Sequence, residues 1–512
     1  MGKILPGYKY SILEDIFNSL NSEISYYYGY ASNPIALTGN VQSLSLDDKS
    51  AQFNTDWLML FGKRINAQNV VAVIDAKFWQ ANTVYDRYDN TKDLTGKNFY
   101  VIGQPAAPGQ SYDIFKCIDN AGGNPSTVKP DLTQVPSFTK SDGYTWRYIT
   151  SIVDADWKEF ASGSYAPVYG NTTIQSEAAQ NSGVEVVVIS NSGIGYSAYT
   201  DGVIQSVLDA STLQIANSAS ADNNFYQKNG IYIYNTGSPI AEIKTISTYI
   251  ANSTGKWVYL DSEANTNNII PGQTFYKISP RVVFETDGDT DPVAYTTINA
   301  LSNSINSIVI VENGTNISWA NVYIQSNTIY GSGANVYAIV PPPGGHGARP
   351  EYELQSKGYS IAFSFVGDES GAIPDNVSYN RIGILKYPTK IDPLTGAKDP
   401  TFFTANAFST LLKADTGSAV TFDVGEQVVG QTSKARGIVA FSNSSTVYLA
   451  GDKTFANSEY IVSSNTNQTT QIIINTLGDV YTKDLAPIYV QNIVDVTRSP
   501  GQTEKYKLIV EI

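Results

Sequence analysis

The chain has 512 residues, with 47 acidic side chains against 33 basic ones and a net charge of −14. An acidic surface repels phosphate backbones and no Lys/Arg run breaks the pattern, so nucleic acid and anionic membranes are not expected as partners. Length suggests about three domain-sized units. The 35 Tyr and 40 Gly, with abundant Asn, Ser and Thr, suit many short strands joined by turns. Only 16% of residues are charged. Either partner proteins cover much of the surface, or Asn, Ser and Thr solvate it instead.

The N-terminus MGKILPGYKYSILEDIF has no signal-peptide pattern, and no apolar run approaches the roughly 20 residues of a bilayer span. A soluble protein made in a cytoplasm is expected. The first periodic segment, 11–24, places Ile12, Leu13, Ile16, Phe17, Leu20 and Ile24 on one helical face, with Ser11 and Glu14 spaced as a capping box. TDWLMLFGKRI (55–65) is expected as a second, shorter helix and PTFFTANAFSTLLKAD (400–415) as a third.

Two stretches pair acids with aromatics, YDRYDN (85–90) and SDGYTWRY (141–148). Stacking rings beside two carboxylates suit a sugar-cleaving site, in which Asp86, Asp89 and Asp142 are the candidates. The competing reading is core aromatics with charges at their rim. Cys117, the single cysteine, lies in the apolar run DIFKCID and excludes an internal disulfide; a buried structural thiol is expected.

Outside these helical segments the period is two. Runs at 184–190, 230–237, 256–262, 281–286, 307–314, 321–326, 358–367 and 505–512 are expected as strands of antiparallel sandwiches or barrels. NSGIGYSA (191–198) and NGTNISWA (313–320) echo one another as strand-end turns. DGDTD sets Asp287, Asp289 and Asp291 at the 1, 3, 5 spacing of a calcium loop. Pro292 and Ile298 then stand where such a loop needs Gly and Glu, so a solvated acidic turn is favoured. Phe422, Gly425, Glu426 and Val428 recur as Phe455, Ser458, Glu459 and Ile461, a weak two-copy repeat of a turn leading into a hairpin.

The only histidine, His346, sits in PPPGGHGARPEYEL. No hydrolase elbow, phosphate loop, zinc motif or dinucleotide fingerprint occurs. Only Glu351 and Glu353 lie near His346 in sequence, so the stretch reads as three prolines followed by positive-φ turns, with His346 lacking chemical partners. No catalytic, cofactor-binding or metal residue is expected.

Three blocks resemble the baseplate wedge protein of T-even-type contractile-tailed bacteriophages. They are YYYGYASNP (26–34) with VVAVIDAKFWQANTVYDRYD (70–89), YDIFKCIDN (112–120) with SDGYTWRYITSI (141–152), and GDVYTKDLAPIYVQNIVDVTRSPGQTEKYKLIVEI (478–512). The PPPGGHG stretch resembles a loop of larger, marine-phage forms. The resemblance implies a non-enzymatic virion protein of the tail baseplate, made in the host cytoplasm and needing no cofactor. It implies a homodimer touching other wedge proteins and tail-fibre proteins. On that basis the expected fold is mainly β, an antiparallel sandwich core with inserted β-modules. The core would take 1–175, 301–415 and 477–512, and the insertions 176–300 and a duplicated hairpin module at 416–476. An adhesin that binds host glycans is the alternative.

Overall fold

The computed structural model describes residues 6–21, 26–33, 57–131, 133, 137–178, 182–236, 241–451, 454–483 and 485–511. The fold is mainly β, built from antiparallel sheets and one closed barrel. Each of the eight strand runs named above falls on a strand. Two compact units divide the chain. One holds Met1–Val73, Glu159–Ala161 and Lys357–Ile512; the other holds Ile74–Lys158 and Ser162–Ser356.

The core of the first unit is a sandwich. One sheet runs in the order Ala407–Ser409, Met59–Ile65, Tyr27–Ser32, Ser378–Lys386, Ala486–Thr497. Facing it, the strand Gly358–Val366 lies between Thr503–Glu511 and Val70–Asp75. Phe61 joins the layers edge-on, 4.9 Å from Phe365 and 5.6 Å from Tyr379. Gly29 makes the close approach possible, because a Cβ there would sit 2.6 Å from the Phe363 ring.

Three helix expectations change. The first helix spans Pro6–Asn21, so Ser11 and Glu14 lie within it and not at its start. Proline suits a first turn, whose N–H groups lack helical partners in any case. Ile24 lies outside the described residues, while Phe17 stacks on Tyr359 at 5.6 Å. Residues 55 and 56 also lie outside the described residues, and Met59–Ile65 is a strand. Met59, Leu60 and Phe61 are all buried in succession, which suits a strand covered on both faces and not a one-sided helix. The 400–415 segment is three strands, Lys398–Phe402, Ala407–Ser409 and Leu412–Thr416. There Phe403 and Phe408 close on the Tyr28 ring at 5.9 and 5.3 Å, and tertiary packing overrides helical propensity.

Six strands between Leu412 and Thr476 close into a barrel around Val428, Val439, Leu449, Ile461 and Ile472. Its two halves repeat with an offset of 33 residues, Gly425 answering to Ser458 and Glu426 to Glu459. Both first members carry positive φ, 90° and 65°. The backbone bonds repeat as well: Gly425 N to Val439 O matches Ser458 N to Ile472 O, and Gln431 N to Tyr460 O matches Ser464 N to Gln427 O.

The symmetry breaks at one point. Glu459 reaches across to the turn of the other half and accepts Thr432 N, Ser433 N and Ser433 Oγ. In the reciprocal place Ser463 Oγ is interposed, donating to Glu426 and accepting Asn465 N and Thr466 N. Gly430, the counterpart of Ser463, leaves that gap open. Burial alone would raise the Glu459 carboxyl, but these bonds and one from Ala456 N hold it below the ordinary range. Glu459→Ala is expected to cost about 2–4 kcal/mol, read as a lower denaturation midpoint with the far-ultraviolet spectrum unchanged. An unaltered midpoint would refute the cross-capping role.

In the second unit, a four-stranded sheet orders Tyr100–Gly103, Tyr112–Asn120, Tyr144–Ile152 and Ser137–Thr139. A seven-stranded sheet occupies Thr200–Ser279 around Ile231, Ile233, Tyr249 and Tyr276. A further four-stranded sheet spans Arg281–Gln325, and the pair Val186–Ile194 with Ser332–Ile339 packs with it over Val282, Val322, Val336 and Ala338.

Candidate functional site

PPPGGHGARPEYEL is a turn, but not an isolated one. Gly344, Gly345 and Gly347 take φ of 83°, 91° and 82°. Pro350 then opens the short helix Pro350–Glu353, which turns Glu353 inward, while Glu351 stays half-exposed. The expectation that His346 lacks partners is corrected here. Its ring is 3% exposed, and Nδ1 lies 3.0 Å from Glu353 Oε1. Lys116, fully buried on the strand Tyr112–Asn120, contacts both His346 Nδ1 and Glu353 Oε1. Glu353 Oε2 accepts Gly347 N at 2.6 Å.

Tyr88 covers the cluster, its ring 3.8 Å from Lys116 Nζ and set edgewise to His346. Behind it Arg147 bonds Glu185. Nδ1 meets Lys116 on one side and Glu353 on the other, and Nε2 faces Glu185 Oε2 at 3.9 Å. Two cations thus meet two carboxylates around a neutral imidazole.

The sequence hid this because Lys116 lies 230 residues from His346. One signal was present. A lysine between Phe115 and Cys117, at the centre of the apolar run IFKCI, must be buried, and a buried cation needs a partner.

Burial, with Lys116 alongside, pushes His346 down to about 3. Burial opposes ionisation of Glu353, yet the Lys116 charge and the His346 bond hold it at about 2. Lys116 is lowered by burial to about 8 against the pull of Glu353. Lys116 and Glu353 therefore stay charged and His346 neutral at neutral pH, and these three groups bond one another. The chemistry is that of a clamp holding the loop to the sheet.

Between the ordinary histidine value of 6.5 and about 3, the unfolded chain binds a proton on His346 that the folded chain refuses. Stability is therefore lost as pH falls through that window. Denaturation midpoints should drop more steeply between pH 6.5 and 4 in the parent than in His346→Gln; parallel curves would sink this assignment.

The other candidates do not converge. Asp86 accepts Asn98 N, Asp89 holds Thr91, Lys92 and the Tyr337 hydroxyl, and Asp142 takes the backbone of Thr127 and Val128. Each ties down nearby backbone, and Asp89 also holds the strand Ser332–Ile339 through Tyr337. Cys117 is buried and its thiol is pushed up by that burial. In DGDTD the three carboxylates take separate partners: Asp287 the 318–319 turn, Asp289 the Asn316 amide, Asp291 the Thr286 hydroxyl. Among the described residues no His/Cys/Asp/Glu group of three or more is arranged to hold a metal ion. No described helix is long and apolar enough to cross a membrane.

A cleft of about 420 Å³ opens beside the clamp, lined by Asp119, Phe138, Thr139, Thr145, Glu185 and Ile310 among others. Two of its hydroxyls bond each other, Thr139 Oγ1 with Thr145 Oγ1 at 2.9 Å. Comparison with protein-family models and with curated proteins gives no match.

Proposed function

We propose that the chain is a structural subunit of a contractile-tail baseplate wedge, working through buried protein–protein contacts and not through a reaction. One observation carries this reading. The first and third blocks that resemble the wedge family stand at opposite ends of the sequence, yet they interleave in one sandwich. Tyr27–Ser32 and Ala486–Thr497 flank the same strand, Ser378–Lys386. Val70–Asp75 and Thr503–Glu511 flank Gly358–Val366. The middle block forms the neighbouring strands Tyr112–Asn120 and Tyr144–Ile152 of the second unit.

On this reading the chain is a homodimer at the tail baseplate, in contact with other wedge proteins and tail-fibre proteins. Triggering switches those contacts between two packings. Light scattering on the full chain should give the mass of a dimer, and density for an intact tail should place it in the baseplate. A trimer would favour the glycan-binding adhesin, and a position outside the baseplate would end the wedge reading.

A further inference from the structure

The acidic turn DGDTD and the echo NGTNISWA meet in the second unit, and together they present an aromatic surface that the wedge reading does not use. Asp287 accepts Ser318 N at 2.9 Å and Trp319 N at 3.1 Å. Asp289 N bonds Thr315 O at 3.0 Å, and the Thr290 and Thr315 hydroxyls bond at 3.0 Å. The loop is thus anchored at both ends, and Trp319 leaves it in a fixed place at the start of the strand Ala320–Gln325.

Along that strand Ala320, Val322 and Ile324 pack into the interior cluster. Side chains alternate across a strand, so Trp319, Asn321 and Tyr323 point the other way. The two rings are 51% and 43% exposed, unusual for such large side chains. Four residues of extended chain set them about 13 Å apart. Between them Asn321 Nδ2 donates to Glu285 Oε2 of the adjoining strand at 2.9 Å, with both side chains exposed.

We propose that this face binds a neutral polysaccharide. Aromatic rings offer an apolar plate to the C–H faces of sugar rings. The amide and carboxylate between them supply the paired donors and acceptors that ring hydroxyls need. The spacing exceeds one sugar, so both rings are used only by a chain. Glu285 disfavours an acidic glycan by like-charge repulsion. A protein partner fits less well: interface centres are depleted in charged residues, and one strand face falls far short of the roughly 800 Å² each side of a stable complex contributes.

The inference is independent of the wedge reading. The test immobilises linear oligosaccharides of glucose, galactose and N-acetylglucosamine and measures binding of the full chain by interferometry. The parent should bind at least one of them. Trp319→Ala should weaken that binding tenfold or more and Tyr323→Ala several-fold, both at unchanged melting temperature. Binding to none of the three, or equal binding by Trp319→Ala, overturns the proposal. So does a Trp319→Ala chain whose only change is a smaller mass by light scattering, since the face would then be a contact between copies.

Discussion

Glu353→Gln should destabilise the protein by about 3–5 kcal/mol, and Lys116→Met by a similar amount. Both side chains are essentially out of water, at 1% and 0% exposure. Removing either charge leaves the other buried without its partner, and that desolvation cost dominates. The double variant Lys116→Met, Glu353→Gln should recover most of the loss, because neither charge then remains to be solvated and the new side-chain carbonyl can still accept Gly347 N. His346 keeps Tyr88 at its edge in that variant and stays neutral. Urea midpoints of the four proteins close the cycle. Additive losses would mean that the two residues do not act as a pair.

Gly345→Val should be as damaging, for a different reason. The Gly345 backbone sits at φ 91°, and a Cβ there would lie 2.0 Å from the carbonyl oxygen of Ala178. A backbone atom cannot swing aside as a side chain can, so strain and clash add to more than about 3 kcal/mol. Gly344→Ala is the control. It shares the positive φ, at 83°, but its Cβ would meet only Ala348 Cβ at 3.2 Å. It should cost about 1 kcal/mol, from φ alone. Thermal unfolding separates the two; equal, small shifts would show that the loop is free to move.

Local pattern went far in this chain. Alternating apolar residues marked the strand Ala320–Gln325, since period two survives wherever one face is buried. The glycines of PPPGGHG marked a positive-φ turn, since few other residues adopt one without strain. The echo of Phe422–Val428 in Phe455–Ile461 marked a duplicated turn, now visible as matching bonds in the barrel.

Where the sequence misled, the deciding contact came from far along the chain. Residues 400–415 carry helical spacing, but Tyr28 draws Phe403 and Phe408 into a sheet environment. His346 looked solitary because Lys116 and Arg147 reach it only through the sheet they share. DGDTD has the spacing of a cation loop, but Pro292 and Ile298 already favoured a plain acidic turn, and its three carboxylates take separate partners. What the sequence determined by itself was therefore whatever depends on neighbours within a few residues: strand period, turn conformation, charge balance. Which buried charges pair, and which segment yields its helical propensity, only the tertiary structure decided, because those outcomes rest on desolvation and packing between residues hundreds apart.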